Sequence, residues 1–229
     1  MRRSRCLLPA VGLLLITTAC QGGSSEPPRA TTPGPATGTA RMAADSALRW
    51  SPAVVWSGDL NSCRQGEAAA TRDCLTKAMQ AGGASADAVT AAGQLSSAGE
   101  LAYVTAWHEQ DGIGVATVAY PFRANTNEGT RLIDAGGKRI DVDTVQLDDT
   151  LRADPGVQAL LNAHPQATPF APAQAAGGTP LEGGGVRLVY RTPLRECHAC
   201  ADVGQLQIGY DFDATRHFVG QHVVPTPAP

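Results

Sequence analysis

Lysine is almost missing from this chain of 229 residues, which has only Lys77 and Lys138. Arginine is common but never clustered, and the formal net charge is −3. A mildly acidic chain without a basic patch excludes nucleic acid as a partner class. Charged residues are scarce at 17 % and aromatics at 5 %. Long hydrophobic runs are also lacking. The longest, around Cys6 to Ile16, is too short to cross a bilayer. No Gly-x-Ser-x-Gly nucleophile turn and no phosphate-binding glycine loop occurs. His108-Glu109 begins like a zinc-protease motif, but the second histidine is missing. No nucleophile–base pair, cofactor motif or metal set is legible, so the expectation is a protein that is not an enzyme.

What the chain does have is 43 % hydrophobic residues, enough for one core of ordinary size. Its first residues are a targeting signal. Met1-Arg2-Arg3-Ser4-Arg5 is a positive n-region, and Leu7, Leu8, Val11, Leu13, Leu14 and Leu15 form a short apolar h-region. The run ends in Ile16-Thr17-Thr18-Ala19-Cys20. A small residue followed by cysteine at this place resembles the signal of bacterial lipoproteins, although Thr17 stands where leucine is usual. The resemblance covers residues 1–20 only. It implies cleavage after residue 19, acylation of Cys20 and a lipid bilayer as partner. Gln21 in place of aspartate implies the outer membrane, facing the periplasm, in a Gram-negative host. An ordinary secreted protein cut near Ala19 is the alternative. Loss of Arg2, Arg3 and Arg5 with the signal lowers the net charge from −3 to −6.

Residues 20–46 hold the lipidated cysteine and a stretch rich in Gly, Ser, Thr, Pro and Ala. It has no apolar period and cannot offset its ordering entropy, so it reads as a flexible tether. About 26 such residues span roughly 25–30 Å as a coil. Residues 47–224 read as one α+β domain, and residues 225–229 as a Pro-rich tail. No internal repeat of fixed period is seen.

In the domain, Trp50 to Trp56 is apolar, but Pro52 limits it to a short extended or edge element. Glu67 to Gln80 predicts a helix with Leu75, Ala78 and Met79 on its apolar face, stopped by Gly82-Gly83. Ser85 caps a second short helix through Leu95, with Asp87 in its first turn. Leu101 to Glu109 and Ile113 to Phe122 predict a hairpin about Asp111-Gly112. Thr130 to Asp134 and Lys138 to Val142 predict another about Ala135-Gly136-Gly137. Thr144 to Arg152 and Gly156 to His164 look helical, with Asp154-Pro155 as cap and first turn. Pro165 to Gly185 reads as a long Pro/Ala/Gly connection that either covers an edge or forms an excursion.

The most strongly patterned stretch is Gly183 to Val224. Val186, Leu188 and Tyr190 alternate with Arg187, Val189 and Arg191; Leu206, Ile208, Tyr210 and Phe212 alternate with polar residues and glycine. Period-two patterning of this length predicts half-buried antiparallel strands. A further hairpin is expected at Asp213 to Arg216. The fold expected is therefore α+β: short N-terminal helices on a largely antiparallel sheet of about seven strands, four before the Pro/Ala/Gly stretch and three after.

Four cysteines remain once Cys6 leaves with the signal and Cys20 takes lipid: Cys63, Cys74, Cys197 and Cys200. An even number in an exported chain points to disulfides, and four cysteines allow three connectivities. Cys63–Cys74 and Cys197–Cys200 are favoured. The ends of a β-turn lie within about 7 Å, which overlaps the Cα separation of a cystine. The entropy model gives roughly 2 kcal/mol for the shorter loop and roughly 3 kcal/mol for the longer. In Cys197-His198-Ala199-Cys200 no histidine follows the second cysteine, as c-type haem attachment requires. A thioredoxin-like site needs a helix after its first cysteine, and here strand follows strand. A zinc site from the four cysteines, or with His198, has loose spacing. The expectation is a structural clip that pins strand register and stays oxidised and unreactive.

Asp141-Val142-Asp143 with Asp148-Asp149, and Asp211-Phe212-Asp213, have part of a calcium-loop spacing. Turn and helix-cap aspartates account for them. The loop Arg123 to Gly129 follows the aromatic strand end Tyr120-Pro121-Phe122. It gathers Arg123, Asn125, Asn127 and Glu128 in a form suited to binding a protein or a glycan. The bland alternative is a strand connection whose Asn residues satisfy their own backbone. With His198, these are the candidate binding residues. The function expected is a non-enzymatic envelope lipoprotein, either partner-binding or structural. One alternative is an inhibitor or immunity protein against a cell-wall hydrolase. Some periplasmic lysozyme inhibitors also present a His-containing loop closed by a short-range cystine, and the resemblance covers that loop only. The other alternative is a thiol-disulfide or metal-dependent activity at Cys197/Cys200.

Overall fold

The computed structural model describes residues 48–58, 60, 63, 68–124 and 127–225, with the backbone alone at 68–71. The signal, the tether, Cys20, Asn125 and the last four residues of the tail lie outside the described residues. The chain is α+β. Helices α1 (Ala68–Ala81) and α2 (Ala86–Ser97) precede strands β1 (Tyr103–Gln110), β2 (Ile113–Ala119), β3 (Glu128–Ile133) and β4 (Arg139–Asp141). Helices α3 (Asp149–Arg152) and α4 (Pro155–Ala163) follow. Then come β5 (Thr168–Pro169), β6 (Gln174–Pro180), β7 (Val186–Arg195), β8 (Gly204–Phe212) and β9 (Phe218–Val223).

The strands form two antiparallel sheets. One has four strands in the order β1-β2-β3-β4; the other has the order β5-β7-β8-β9, with β6 also on β7. The four strands expected before the Pro/Ala/Gly stretch and the three after it are all present. They divide between two sheets because the first sheet is apolar on both faces. Ile113, Val115, Leu132 and Ile140 meet the inner face of the second sheet. Ala116, Val118 and Ile133 pack with Ala91 and Leu95 of α2 and with Trp50. The first sheet thus lies between the N-terminal helices and the second sheet, with Leu151 of α3 and Val157 of α4 joining the core between the sheets.

The two further strands, β5 and β6, come from the stretch read as a connection. It covers the edge of β7, since Thr168 and Pro169 pair with Arg195 and Leu194, and Gln174 to Pro180 pair along Arg191 to Val186. Every residue of β6 is exposed. Backbone pairing alone makes it a strand, so no side-chain alternation announces it.

The β7–β8 ladder follows the sequence pattern. Val186 lies opposite Phe212, Leu188 opposite Tyr210, and Tyr190 opposite Ile208. Their side chains fill the core between the sheets.

Local chemistry explains the other elements. Ser85 caps α2 by accepting from Ala88 N at 2.9 Å, and Asp154 caps α4 by accepting from Gly156 N and Val157 N. Leu75 and Met79 are buried on the inner face of α1. The β1–β2 turn has positive φ at both Asp111 (52°) and Gly112 (81°), as a two-residue hairpin of this hand requires.

Two expectations change. Pro52 opens a single 3-10 turn, Pro52–Val54, capped by Ser51, and only Val55 reaches an edge, in a parallel bridge to Val104. Thr144 to Asp148 is not helical. There Thr144 Oγ1 donates to Gln146 O at 2.8 Å, a local bond that competes with helix, and Asp148 caps α3 after it.

The hairpin turns gather at one end of the sheets. Arg216, in the β8–β9 turn, donates from Nε to Asp111 O at 2.6 Å and from Nη1 to Gly184 O at 2.8 Å. Its own carbonyl accepts from Ala135 N at 2.9 Å. Asp134 accepts from Lys138 N and Phe218 N. The β2–β3 connection, the exit of β4 and the β7–β8 loop lie at the opposite end.

Candidate functional site

At that opposite end the loops enclose a cleft of about 410 Å³. Its floor is a charged network that begins in β3. Arg131 shares a strand face with Ile133, whose side chain is buried against α2, and is itself only 5 % exposed. An isolated guanidinium would not be tolerated there. Arg131 Nη2 donates to both oxygens of Glu100 at 3.0 and 2.8 Å and lies 2.8 Å from Tyr120 Oη. Nη1 donates to Thr130 O and to Asp141, its cross-strand neighbour. Glu100 follows α2 in the chain, so the network joins the helical layer to the first sheet.

The aspartates extend the floor. Asp141 accepts from Asp143 N at 2.8 Å, closing a local turn. Asp143 accepts from Thr130 N of β3 and from Ala173 N just before β6, and so ties one sheet to the other. Gly129 lies beneath. A Cβ there would come within 3.0 Å of the Tyr120 ring and 3.3 Å of Asp143 Oδ2, so a side chain would have to displace the floor by a few tenths of an ångström.

Burial pushes the Asp141 and Asp143 carboxyls above the usual carboxylate range. Arg131 and a backbone donor oppose it at Asp141, and the donors of Ala173 and Thr130 oppose it at Asp143. Burial also pushes the Tyr120 phenol up. Burial alone would lower the Arg131 pKa, but Asp141, Tyr120 and Glu100 outweigh it and hold the guanidinium charged. Behind the floor burial raises Tyr190 to about 12, with help from Asp143. Arg131, Glu100 and Asp141 hold one another as ion pairs, while Asp143 is held by backbone donors.

The rim carries the candidate binding residues. Arg123 is stacked on the Tyr120 ring at 3.6 Å and stands 3.8 Å from Glu100. Glu128 opens β3 and is exposed. His198, from the β7–β8 loop of the other sheet, completes the lining. Its ring lies edge-on to Phe170, with centroids 5.1 Å apart, and Arg195 covers Phe170 at 4.0 Å. Val145, 68 % exposed, and Phe170 supply an apolar wall. The structure thus brings Arg123, Glu128 and His198 together from two distant stretches of sequence. Asn127 is exposed beside them, and its carbonyl accepts from Tyr120 N at 2.7 Å, the backbone duty of a strand connection.

The other candidates are elsewhere. Cys63 and Cys74 form a disulfide, as do Cys197 and Cys200. His108 and Glu109 are exposed on β1. Asp148 caps α3, Asp211 pairs with Arg187 at 2.7 and 2.9 Å, and Asp213 accepts from Thr215 and His217 within its turn. Among the described residues no group of three His, Cys, Asp or Glu side chains is placed to hold a metal ion.

One expectation about the second cystine is altered. It does not sit at the origin of the β7–β8 ladder, because β7 ends at Arg195 and β8 begins at Gly204. It closes a turn at the tip of the loop between them, while the ladder runs through nine paired positions of its own. The clip shapes the segment that carries His198.

Sequence reasoning missed Glu100, Arg131 and Phe170. A signal existed for Arg131: a charge on the face of β3 that also carries Ile133, one hairpin step from Asp141. Compared with known proteins, the chain matches no family model, no curated protein and no solved structure.

Proposed function

We propose that this protein is a non-enzymatic cell-envelope lipoprotein that binds a partner, a protein or a glycan, through the cleft. Acylated Cys20 and the tether hold it to the membrane, in a Gram-negative host the outer membrane facing the periplasm. The observation that carries the reading is the convergence of Arg123, Glu128 and His198 on one recess. Beneath them Arg131 is paired with Glu100 and Asp141, and Asp143 bridges the sheets, which supports a rigid recognition surface. The apolar wall of Val145 and Phe170 offers area to bury, and the polar rim offers orientation.

A second reading has its own support. The His198 loop, closed by its cystine, stands at the rim of the recess, as a loop that plugs the active site of a cell-wall hydrolase would. An inhibitor or immunity protein would use the same residues.

The test compares the lipidated wild type with Arg123→Ala/His198→Ala as bait in crosslinked envelope. Both side chains are at the surface, so the variant is expected to fold and melt within about 0.5 kcal/mol of wild type. Partner recovery is expected to fall about tenfold or more, the loss of one well-placed interaction of about 1.4 kcal/mol. Equal recovery by a folded double variant would remove the cleft from the binding account.

A further inference from the structure

The two disulfides differ in exposure at one cysteine each, since Cys74 and Cys200 are both half-buried. Cys63 is 2 % exposed, in an apolar cluster with Trp56, Leu75 and Met79. Cys197 is exposed and Cys200 half-buried, at the tip of the β7–β8 loop. Between them stands His198, which lines the cleft. Besides the cystine, the turn has a backbone bond across it, Cys200 N to Cys197 O at 3.2 Å, and the contact of His198 with Phe170, while Arg195 paired with Asp202 and His164 beside Glu196 tie down the loop on either side. The ladder below is independent of it, with Val203 N donating to Leu194 O at 2.9 Å where the loop rejoins the strands.

We propose that Cys197–Cys200 is a thiol-exchange site that acts as a latch on the cleft, opened by a dithiol reductant of the envelope. A thiolate of the reductant attacks Sγ of Cys197, the more exposed residue of the pair. The S–S bond breaks and Cys200 leaves as thiolate. The second thiol of the reductant, deprotonated, attacks the mixed disulfide at the reductant's own sulfur and releases Cys197. Two electrons pass to the protein, and the reductant ends as its own disulfide. The two thiolates then take protons from water. Thiol–disulfide exchange needs a sulfur that a nucleophile can reach, and Cys63–Cys74, with one cysteine buried and the other half-buried, is the less exposed pair. Reduction removes the covalent constraint that holds His198 over Phe170 and leaves the fold in place. Its effect on partner binding rests on the cleft being the binding site. The exchange and the movement of His198 do not.

The experiment titrates the intact folded protein with dithiothreitol, alkylates it without denaturant and maps the modified cysteines by mass spectrometry. In parallel the ring protons of His198 are followed by NMR, since the ring current of Phe170, with centroids 5.1 Å apart, shifts them. Cys197 and Cys200 are expected to be modified together at a reductant concentration about tenfold or more below that needed for Cys63 and Cys74. The His198 signals should move toward random-coil positions with circular dichroism unchanged. All four cysteines reacting together, or none until unfolding, would overturn the exchange site. Selective modification with static His198 signals would overturn the latch. Neither outcome depends on partner recovery, so failure of the binding reading remains distinguishable.

Discussion

Arg131→Met is expected to cost about 3–5 kcal/mol, because it removes the buried cation shared by Glu100 and Asp141, leaving Asp141 only the Asp143 N–H and Glu100 only the more distant Arg123. Glu100 is 24 % and the Asp141 side chain 38 % exposed, so water recovers part of that loss and places the effect toward the lower end. The methionine stem fills most of the arginine volume, so the loss reports charge and not a cavity. The triple change Arg131→Met/Glu100→Gln/Asp141→Asn removes the stranded charges as well and is expected to regain a substantial part. Urea unfolding at neutral pH measures both. A single-variant loss under about 1 kcal/mol would mean that water in the cleft satisfies the carboxylates, and that the network does not fix the floor.

The second large effect concerns the Cys63–Cys74 cystine. Cys63→Ala/Cys74→Ala is expected to cost about 3 kcal/mol, from the roughly twelve-residue loop it closes. The lost sulfur packing beside Trp56, Leu75 and Met79 adds to this. Cys197→Ala/Cys200→Ala removes a four-residue ring at an exposed loop tip and is expected to cost about 2 kcal/mol or less. For a domain of this size each kcal/mol lowers Tm by about 2–4 °C. Calorimetry should therefore separate the two variants by several degrees, the first pair melting lower. Equal melting temperatures, or a lower one for the loop pair, would return the tip cystine to a main structural role.

How much of this was legible depends on which force shapes each segment. The β7–β8 pairing could be read from Val186 to Phe212 because one face is buried and the other is wet, so burial writes itself as alternation. The first sheet reads less plainly. With apolar residues on both faces, Ile113 to Val118 is a continuous run, and nothing in it says that a second sheet lies on one side. β6 is invisible to such reasoning, since Ala175, Gly177 and Gly178 hold their place by backbone pairing with β7. The rim of the cleft was half legible, because Arg123, Glu128 and His198 are polar groups in turns. That they share a cleft depends on the β2–β3 connection and the β7–β8 loop lying at the same end of two packed sheets. Glu100 was hidden for the same reason, since it meets Arg131 through the packing of α2.

The claim that the cleft is where this protein meets its partner is tested most directly by a photo-crosslinking residue at Val145, on the exposed wall. The control carries the same residue at Ala214, in the exposed turn at the other end of the sheets. Irradiated in native envelope, the Val145 position is predicted to give one discrete adduct. Arg123→Ala/His198→Ala should abolish that adduct, and the purified partner should reproduce it in vitro with the otherwise wild-type chain only. Ala214 should give no such adduct. An adduct that forms equally from Ala214, or that survives the double substitution at full yield, would contradict the account.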